Sequence, residues 1–280
     1  NSAISTDIAA SKQASQLRKR ILTQPYLSVV IPAYNEEARI ASTVNSLGEY
    51  LDVWSGEVPD SSRQRSWELL VVSDGSTDST AQIVRELSDS DSRIRLIDAP
   101  HGGKGAAVRR GMDESSGEWR FLCDADLSMP ANNLGRFFSD TGDGRPAFDV
   151  AIGSREAAGA QRFNEPRSRH VKGRLFNYAV KVLALRGIED TQCGFKLFSE
   201  EAVIKLFPHQ TLDGWAFDVE LLVMAQQAGF SVGEIPVDWY YGEGSKMTLS
   251  KGIMAVVDVA RVGVNNLFGK YKVVERKGGS

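Results

Sequence analysis

Apolar residues along this chain follow two alternating rhythms. Short continuous runs occur at Leu27-Ser28-Val29-Val30-Ile31-Pro32, Trp67-Glu68-Leu69-Leu70-Val71-Val72-Ser73, Ile94-Arg95-Leu96-Ile97 and Trp119-Arg120-Phe121-Leu122. Runs of this length suit strands buried on both faces of a parallel sheet. After each of the first three runs the spacing changes to every third or fourth position: Ile40, Val44 and Leu47, then Ala81, Ile83, Val84 and Leu87, then Lys104 to Glu114. That spacing predicts amphipathic helices. The order βαβαβαβ predicts an α/β fold with right-handed crossovers. Pro32 is expected to end the first strand and Asn35 or a neighbour to cap the helix after it, with Glu36 and Glu37 near its positive end. Residues 52 to 66, with Gly56, Pro59 and a Ser/Arg cluster, read as a surface loop.

Beyond the fourth strand, Phe148 to Gly153 predicts another strand, ending at Arg155. A Gly/Ala/Asn/Pro loop covers residues 156 to 168, and an amphipathic helix is predicted from Val171 to Leu185. Thr191 to Phe198 mixes polar and aromatic residues, as a pocket wall or a core segment does. A helix over Phe217, Leu221, Leu222 and Ala225 places Asp218 in its first turn, where an acid also suits the helix dipole. The strand Val232 to Val237, the loop Tyr241 to Lys246 and an amphipathic helix from Ser250 to Phe268 complete the pattern. That last helix either closes the core or lies in a membrane interface. The expected organisation is a flexible extension over residues 1 to 24, one domain over 25 to 270 divided near residue 126, and a basic tail over 271 to 280.

Composition narrows the class. With 280 residues, 42% hydrophobic and 25% charged, the chain can bury one large core or two small ones. No apolar stretch reaches the ~18 residues of a spanning helix, so nothing is expected to cross a membrane. Cys123 and Cys193 stand apart from any second cysteine, which suits neither zinc nor a disulfide framework and points to reduced thiols in the cytosol. A net charge of -3 argues against nucleic acid. Yet Arg155 to Arg186 holds eight Lys/Arg against two acids, so positive charge is segregated where an anionic partner could bind.

Candidate chemistry collects at the turns. Asp124 and Asp126 follow the fourth strand, at the carboxyl end where α/β sheets keep their sites. One carboxylate could face a divalent cation and the other a hydroxyl or water, although both could equally form a turn. Tyr34 could stack on a base and Glu36 hold ribose hydroxyls. Asp74 could accept from a pyrimidine imide or simply make its turn. In Gly102-Gly103-Lys104-Gly105 the glycines would let a phosphate approach the backbone at a helix start, though the spacing is not that of a Walker loop.

Taken together, Val30-Ile31-Pro32-Ala33-Tyr34-Asn35-Glu36, Val72 to Asp78, Gly103-Lys104-Gly105 and Asp124-Ala125-Asp126 resemble the nucleotide-sugar half of inverting family-2 glycosyltransferases of GT-A fold. The later segments Gly153-Ser154-Arg155, Asp190 to Phe198, Trp215 to Leu222 and Glu243 to Lys246 are similar to dolichyl-phosphate β-glucosyltransferases. The resemblance implies a single Rossmann-like GT-A domain, 25 to 126 being the nucleotide-sugar half and 127 to 270 the acceptor half. It implies a UDP-hexose donor, a polyprenyl-phosphate acceptor and a Mg²⁺ or Mn²⁺ ion, at the cytosolic face of a membrane. By the same resemblance Pro32, Tyr34, Glu36, Asp74, Lys104, Asp124, Gln192 and Ser245 bind the nucleotide sugar, and Asp126 with Asp124 holds the metal. Arg155 and Arg169 hold the acceptor phosphate, and Asp126, Asp218, Arg155 and Lys246 serve catalysis. A departure is the polar residues 1 to 24, where eukaryotic members carry a membrane-spanning segment. Two rival readings remain in view: transfer to a saccharide or protein hydroxyl, and a non-catalytic nucleotide-sugar sensor.

Overall fold

The computed structural model describes residues 24–57, 65–138, 145–166, 187–242 and 249–271, with 173, 177, 180 and 183–185. Nine strands are described: β1 (Leu27–Ala33), β2 (Trp67–Asp74), β3 (Ile94–Ala99), β4 (Trp119–Leu122), β5 (Val150–Ser154), β6 (Gln161–Phe163), β7 (Lys196–Ser199), β8 (Val232–Pro236) and β9 (Asp238–Tyr240). The helices are α1 (Ile40–Gly56), α2 (Thr80–Ser90), α3 (Lys104–Glu114), α4 (Glu200–Leu206), α5 (Phe217–Gln227) and α6 (Leu249–Leu267). Seven strands form one sheet in the order β3-β2-β1-β4-β7-β5-β8, and β6 pairs with β9 apart from it. All pairings are parallel except those of β7, which runs against both β4 and β5. The fold is therefore α/β with a mixed, mainly parallel sheet, as the alternating rhythms predict.

β1 lies between β2 and β4, so the chain winds to one side first and then to the other. Ligands of open α/β sheets bind where that reversal opens a crevice at the carboxyl ends. The ends of β1, β2 and β4 carry Tyr34, Asp74 and Asp124. β2 is buried along its whole length, which explains its unbroken apolar run.

Several local expectations are corrected. Pro32 does not end β1, which continues to Ala33. The Val30 carbonyl accepts from Cys123 N–H on the β4 side, and alternation turns Pro32 to that same side, past the last residue of β4, where no donor is required. Asn35 does not cap α1, which starts five residues later at Ile40; with φ at 51° it accepts from the Thr77 N–H at 2.8 Å and so ties the turn after β1 to the turn after β2. Residues 52 to 56 are not loop but the last turn of α1, because Trp54 is buried against Tyr26 and Phe138. Of the predicted helix from Val171 to Leu185, the described residues Gly173, Asn177, Val180 and Leu183 are helical. The extension over 1 to 23 and the tail beyond Tyr271 lie outside the described residues.

At the amino ends of the strands Glu68 is buried at the start of β2. Its carboxylate accepts from Ser28 Oγ of β1 at 2.7 Å and from the N–H and Oγ of Ser116, before β4, at 2.8 and 2.9 Å; Arg95 of β3 lies 3.3 Å away. Burial opposes its ionisation, but these donors outweigh burial and hold the carboxyl below its usual range. A carboxyl with a folded pKa below its unfolded value of ~4.3 lends stability above that pH and loses it as the pH falls through the folded pKa. Glu68→Gln is therefore expected to lose about 2 kcal/mol in urea denaturation at pH 7. The gap to the parent should close below pH ~4; a gap that stays constant with pH would refute the role of the charge.

Candidate active site

Two turns build the first wall of the site. Besides the Asn35 to Thr77 bond, the Glu36 N–H donates to Thr80 Oγ1 at 2.7 Å, Glu37 N–H to Asp78 Oδ2 at 3.1 Å, and Ser79 N–H to Glu37 Oε2 at 3.0 Å. The Glu36 side chain pairs with Arg39. Tyr34 is partly exposed, and its ring lies on that of His101, with centroids 4.5 Å apart.

Asp74, at the end of β2, is buried, and its carboxylate accepts from the N–H of Gly102 at 2.7 Å and of Gly103 at 3.0 Å, while His101 Nδ1 lies 2.9 Å from Oδ2. The glycine-rich loop is thus gathered onto this one side chain. The expectation that these glycines open the start of α3 to a phosphate is corrected. The N–H of Gly105 donates to the Asp213 carbonyl at 2.8 Å, and a Cβ at Gly103, where φ is 100°, would lie 2.7 Å from that same oxygen. Gly103 and Gly105 make room for the backbone of Leu212 and Asp213.

Lys104 opens α3 and reaches into the crevice. Its Nζ lies 2.8 Å from Asp124 Oδ1 and 5.1 Å from the centre of the Trp215 ring. Burial opposes its charge, but Asp124, then Asp218 and Asp126, more than offset this, and the ammonium is held above the usual lysine range. Asp124 mirrors it. Burial works against ionisation there, yet Lys104 first, then Lys196 and Arg155, hold the carboxyl below its usual range. Asp126 is exposed; its Oδ1 accepts from the Ser128 N–H at 3.0 Å, and Oδ2 makes no bond among the described residues. Leu127 has φ at 45°, a strained conformation for a bulky residue, and it turns the chain sharply after the two acids.

Among the described residues no three His, Cys, Asp or Glu side chains gather into a metal cage. Asp126 with Asp124 two positions before it nevertheless fits a hard cation that keeps water and phosphate oxygens in its shell and takes only one or two protein carboxylates.

The second wall joins Asp218 and Arg155 to charges that sequence reasoning gave no role: Lys196, Asp190 and Glu234. Lys196, at the start of β7, is fully buried; its Nζ lies 3.0 Å from Asp218 Oδ1 and donates to the Cys193 carbonyl. Burial pushes the Asp218 carboxyl up, opposed by Lys196 and Lys104 and assisted by Asp124. Arg155 is locked by Asp190, with Nε to Oδ2 at 2.7 Å and Nη2 to Oδ1 at 2.8 Å, and its guanidinium lies over Trp239. Glu234 accepts from the backbone N–H groups of Glu189 and Asp190. The sequence signal for Lys196 is a lysine inside the run Phe195-Lys196-Leu197-Phe198, since an ammonium placed there has to find a buried anion. The buried atoms Gln192 Nε2 and Thr191 Oγ1 have no hydrogen-bond partner among the described residues. Both cysteines are free and buried, and burial pushes the Cys193 thiol up to about 12. Of the sequence-predicted site residues, Pro32, Tyr34, Glu36, Asp74, Lys104, Asp124, Asp126, Arg155, Gln192 and Asp218 are described, whereas Arg169, Ser245 and Lys246 lie outside the described residues.

The chain is similar to known proteins. Residues 28–207 match the profile of Glycosyl transferase family 2. A dolichyl-phosphate beta-glucosyltransferase of Trichomonas vaginalis is 36% identical over 260 residues, which cover 91% of this chain and 75% of that protein. The protein of the same name from Saccharomyces cerevisiae is 33% identical, covering 88% and 77%, and the human one is 34% identical, covering 79% and 69%. Among solved structures, glucosyl-3-phosphoglycerate synthase from Mycobacterium tuberculosis, in complex with Mn²⁺, UDP-glucose and phosphoglyceric acid, has the same fold, with a TM-score of 0.62 at 18% identity over 94% of this chain and 85% of that one. On the match over residues 28–207 and the identity to these relatives, the chain belongs to glycosyltransferase family 2.

Proposed function

We propose that this protein transfers glucose from UDP-glucose, with inversion, to the phosphate of a polyprenyl lipid of the dolichyl type. The observation that carries the reading is the identity to dolichyl-phosphate beta-glucosyltransferases over most of the chain, with both acids of the Asp124-Ala125-Asp126 turn in place. The donor and a divalent ion are supported by the Mn²⁺ and UDP-glucose bound to a protein of the same fold.

In this reading Tyr34 and Asp74 line the uracil pocket, Glu36 and Asp124 the ribose, and Lys104 balances charge between base and diphosphate. A Mg²⁺ or Mn²⁺ held by Asp126, with Asp124 beside it, would offset the charge that develops on the departing diphosphate. Lys246 and Ser245 belong to the same side of the site by family resemblance. The acceptor phosphate, with a second pKa near ~6, is already largely dianionic at neutral pH and needs no base. Arg155, whose Nε and Nη2 are held by Asp190, keeps its Nη1 side for a phosphate, with Arg169 as its companion. A second reading is favoured by Asp218, a buried carboxylate with a raised pKa, which would suit a general base for a hydroxyl acceptor. A panel of polyprenyl phosphates against saccharide acceptors separates the two readings.

Among the described residues no helix is long and apolar enough to cross a membrane. α6 nonetheless exposes Met254, Val257, Val264 and Leu267, with Phe268 just beyond it, spaced as one stripe of a helix. This supports docking of the protein on the cytosolic face of a membrane, where the lipid acceptor resides.

Three outcomes are expected. Asp126→Ala should lower transfer on the order of 100-fold or more, and EDTA should do the same to the parent; activity that survives chelation would remove the ion from the reading. Arg155→Lys, which keeps the charge near Asp190 but loses the fork, should raise the acceptor KM by roughly 10- to 100-fold and leave the UDP-glucose KM unchanged. Equal effects on both substrates would count against phosphate recognition by Arg155. Leu267→Asp with Phe268→Asp should weaken vesicle sedimentation by roughly 100-fold, since each large apolar side chain contributes about 1.5–3 kcal/mol on burial; unchanged binding would move the membrane contact elsewhere.

A further inference from the structure

Lys196 is the buried cation that the proposed reaction leaves unused. It is 1% exposed, and its ammonium has two partners from different parts of the chain: Asp218 Oδ1 in the first turn of α5, and the carbonyl of Cys193. The residue after Cys193 presses on the donor side of the crevice, because a Cβ at Gly194 would lie 2.3 Å from Asp124 Oδ2. Lys196 therefore sits at the joint between the Asp124 turn and Asp218. A buried ammonium is costly unless paired, and its pairing fixes the geometry of whatever it holds.

Asp218 Oδ1 faces Lys196 as an ion pair at 3.0 Å, outside hydrogen-bond geometry, and no hydrogen bond ties down Oδ2 among the described residues. The charged groups acting on this carboxylate are Lys196 from β7, Lys104 from α3 and Asp124 from the turn after β4. An ionised carboxylate paired with a lysine accepts hydrogen bonds and cannot donate them. A dianionic acceptor phosphate would be repelled there, whereas a hydroxyl would be bound.

We propose that Lys196 is a positioning residue that turns Asp218 Oδ2 toward a hydroxyl of the transferred hexose, so that the pair reads the sugar rather than activating the acceptor. The inference rests on the glucosyl-transfer reading and deepens it. It concerns the donor, a nucleoside diphosphate hexose with a free hydroxyl at the recognised carbon. A site built to hydrogen-bond a hydroxyl discriminates strongly against the analogue that lacks it, because the buried acceptor is then left unpaired.

The test compares binding of UDP, UDP-glucose and its 2-, 3-, 4- and 6-deoxy analogues by calorimetry with Mn²⁺ present. The proteins are the parent, Lys196→Met, Asp218→Asn and the double variant, which removes both charges and so guards against a fold that fails for want of one partner. The parent should bind one deoxy analogue roughly tenfold or more weaker than UDP-glucose. That ratio should fall to about one in all three variants, with UDP binding unchanged. A ratio retained in the variants, a parent ratio near one at every carbon, or a loss of UDP binding in step with UDP-glucose in every variant would overturn the proposal. Transfer to a short polyprenyl phosphate is measured alongside. A parent that discriminates in binding but transfers nothing to that acceptor would sink the acceptor assignment alone.

Discussion

Charge pairing along the crevice is the constraint on which this structure depends. Lys104 with Asp124, Lys196 with Asp218 and Arg155 with Asp190 each join elements far apart in sequence. Removing one partner of the fully buried Lys196–Asp218 pair is expected to cost about 3–5 kcal/mol, because the remaining charge stays out of water. The elements joined by each pair must therefore meet in one register. Asp218 can meet Lys196 only if α5 starts where it does, and Arg155 meets Asp190 only if β5 ends beside the segment that leads to β7. The same pairs that fix the fold also leave specific oxygens and nitrogens open to a ligand.

The strands and helices of the first 126 residues were legible, apart from the end of β1 and both ends of α1, because each obeys one period. The position of the Asp124-Ala125-Asp126 turn followed from the same pattern. What the sequence hid were partnerships at a distance. Asn35 has the composition of a helix cap, yet its side chain crosses to Thr77, since two adjacent parallel strands bring both turns within reach. Lys196 was hidden in an apolar run, because periodicity treats a charged residue as a break in burial and not as half of a pair. Pro32 looked like a stop, but a proline interrupts a parallel strand only where a neighbour needs its N–H, and β4 had already ended.

The solved structure of glucosyl-3-phosphoglycerate synthase keeps the same architecture at 18% identity over 94% of this chain. That an architecture persists at so low an identity agrees with the physics. A parallel sheet with its crevice tolerates wide substitution as long as the burial pattern holds, because hydrophobic packing needs volume more than identity. Paired charges tolerate far less. The segments Asp190 to Lys196 and Trp215 to Glu220, which supply those charges, are where a change of side chain would alter what the crevice holds.

The carbonyl of Asp213 at the start of α3 has a consequence for modularity. A helix start has N–H groups without partners of their own, and here Gly105 gives its N–H to a residue 108 positions further along. Glu220 holds the same segment in place through the N–H groups of Thr211 and Leu212, and Tyr271 hydrogen-bonds to that carboxylate from beyond α6. The first half of the chain is thus not a transplantable cassette. A chimaera that grafted it onto another enzyme's second half would expose the end of α3 and slacken the loop gathered on Asp74, so evolution or design has to exchange the two halves together, or rebuild the plug.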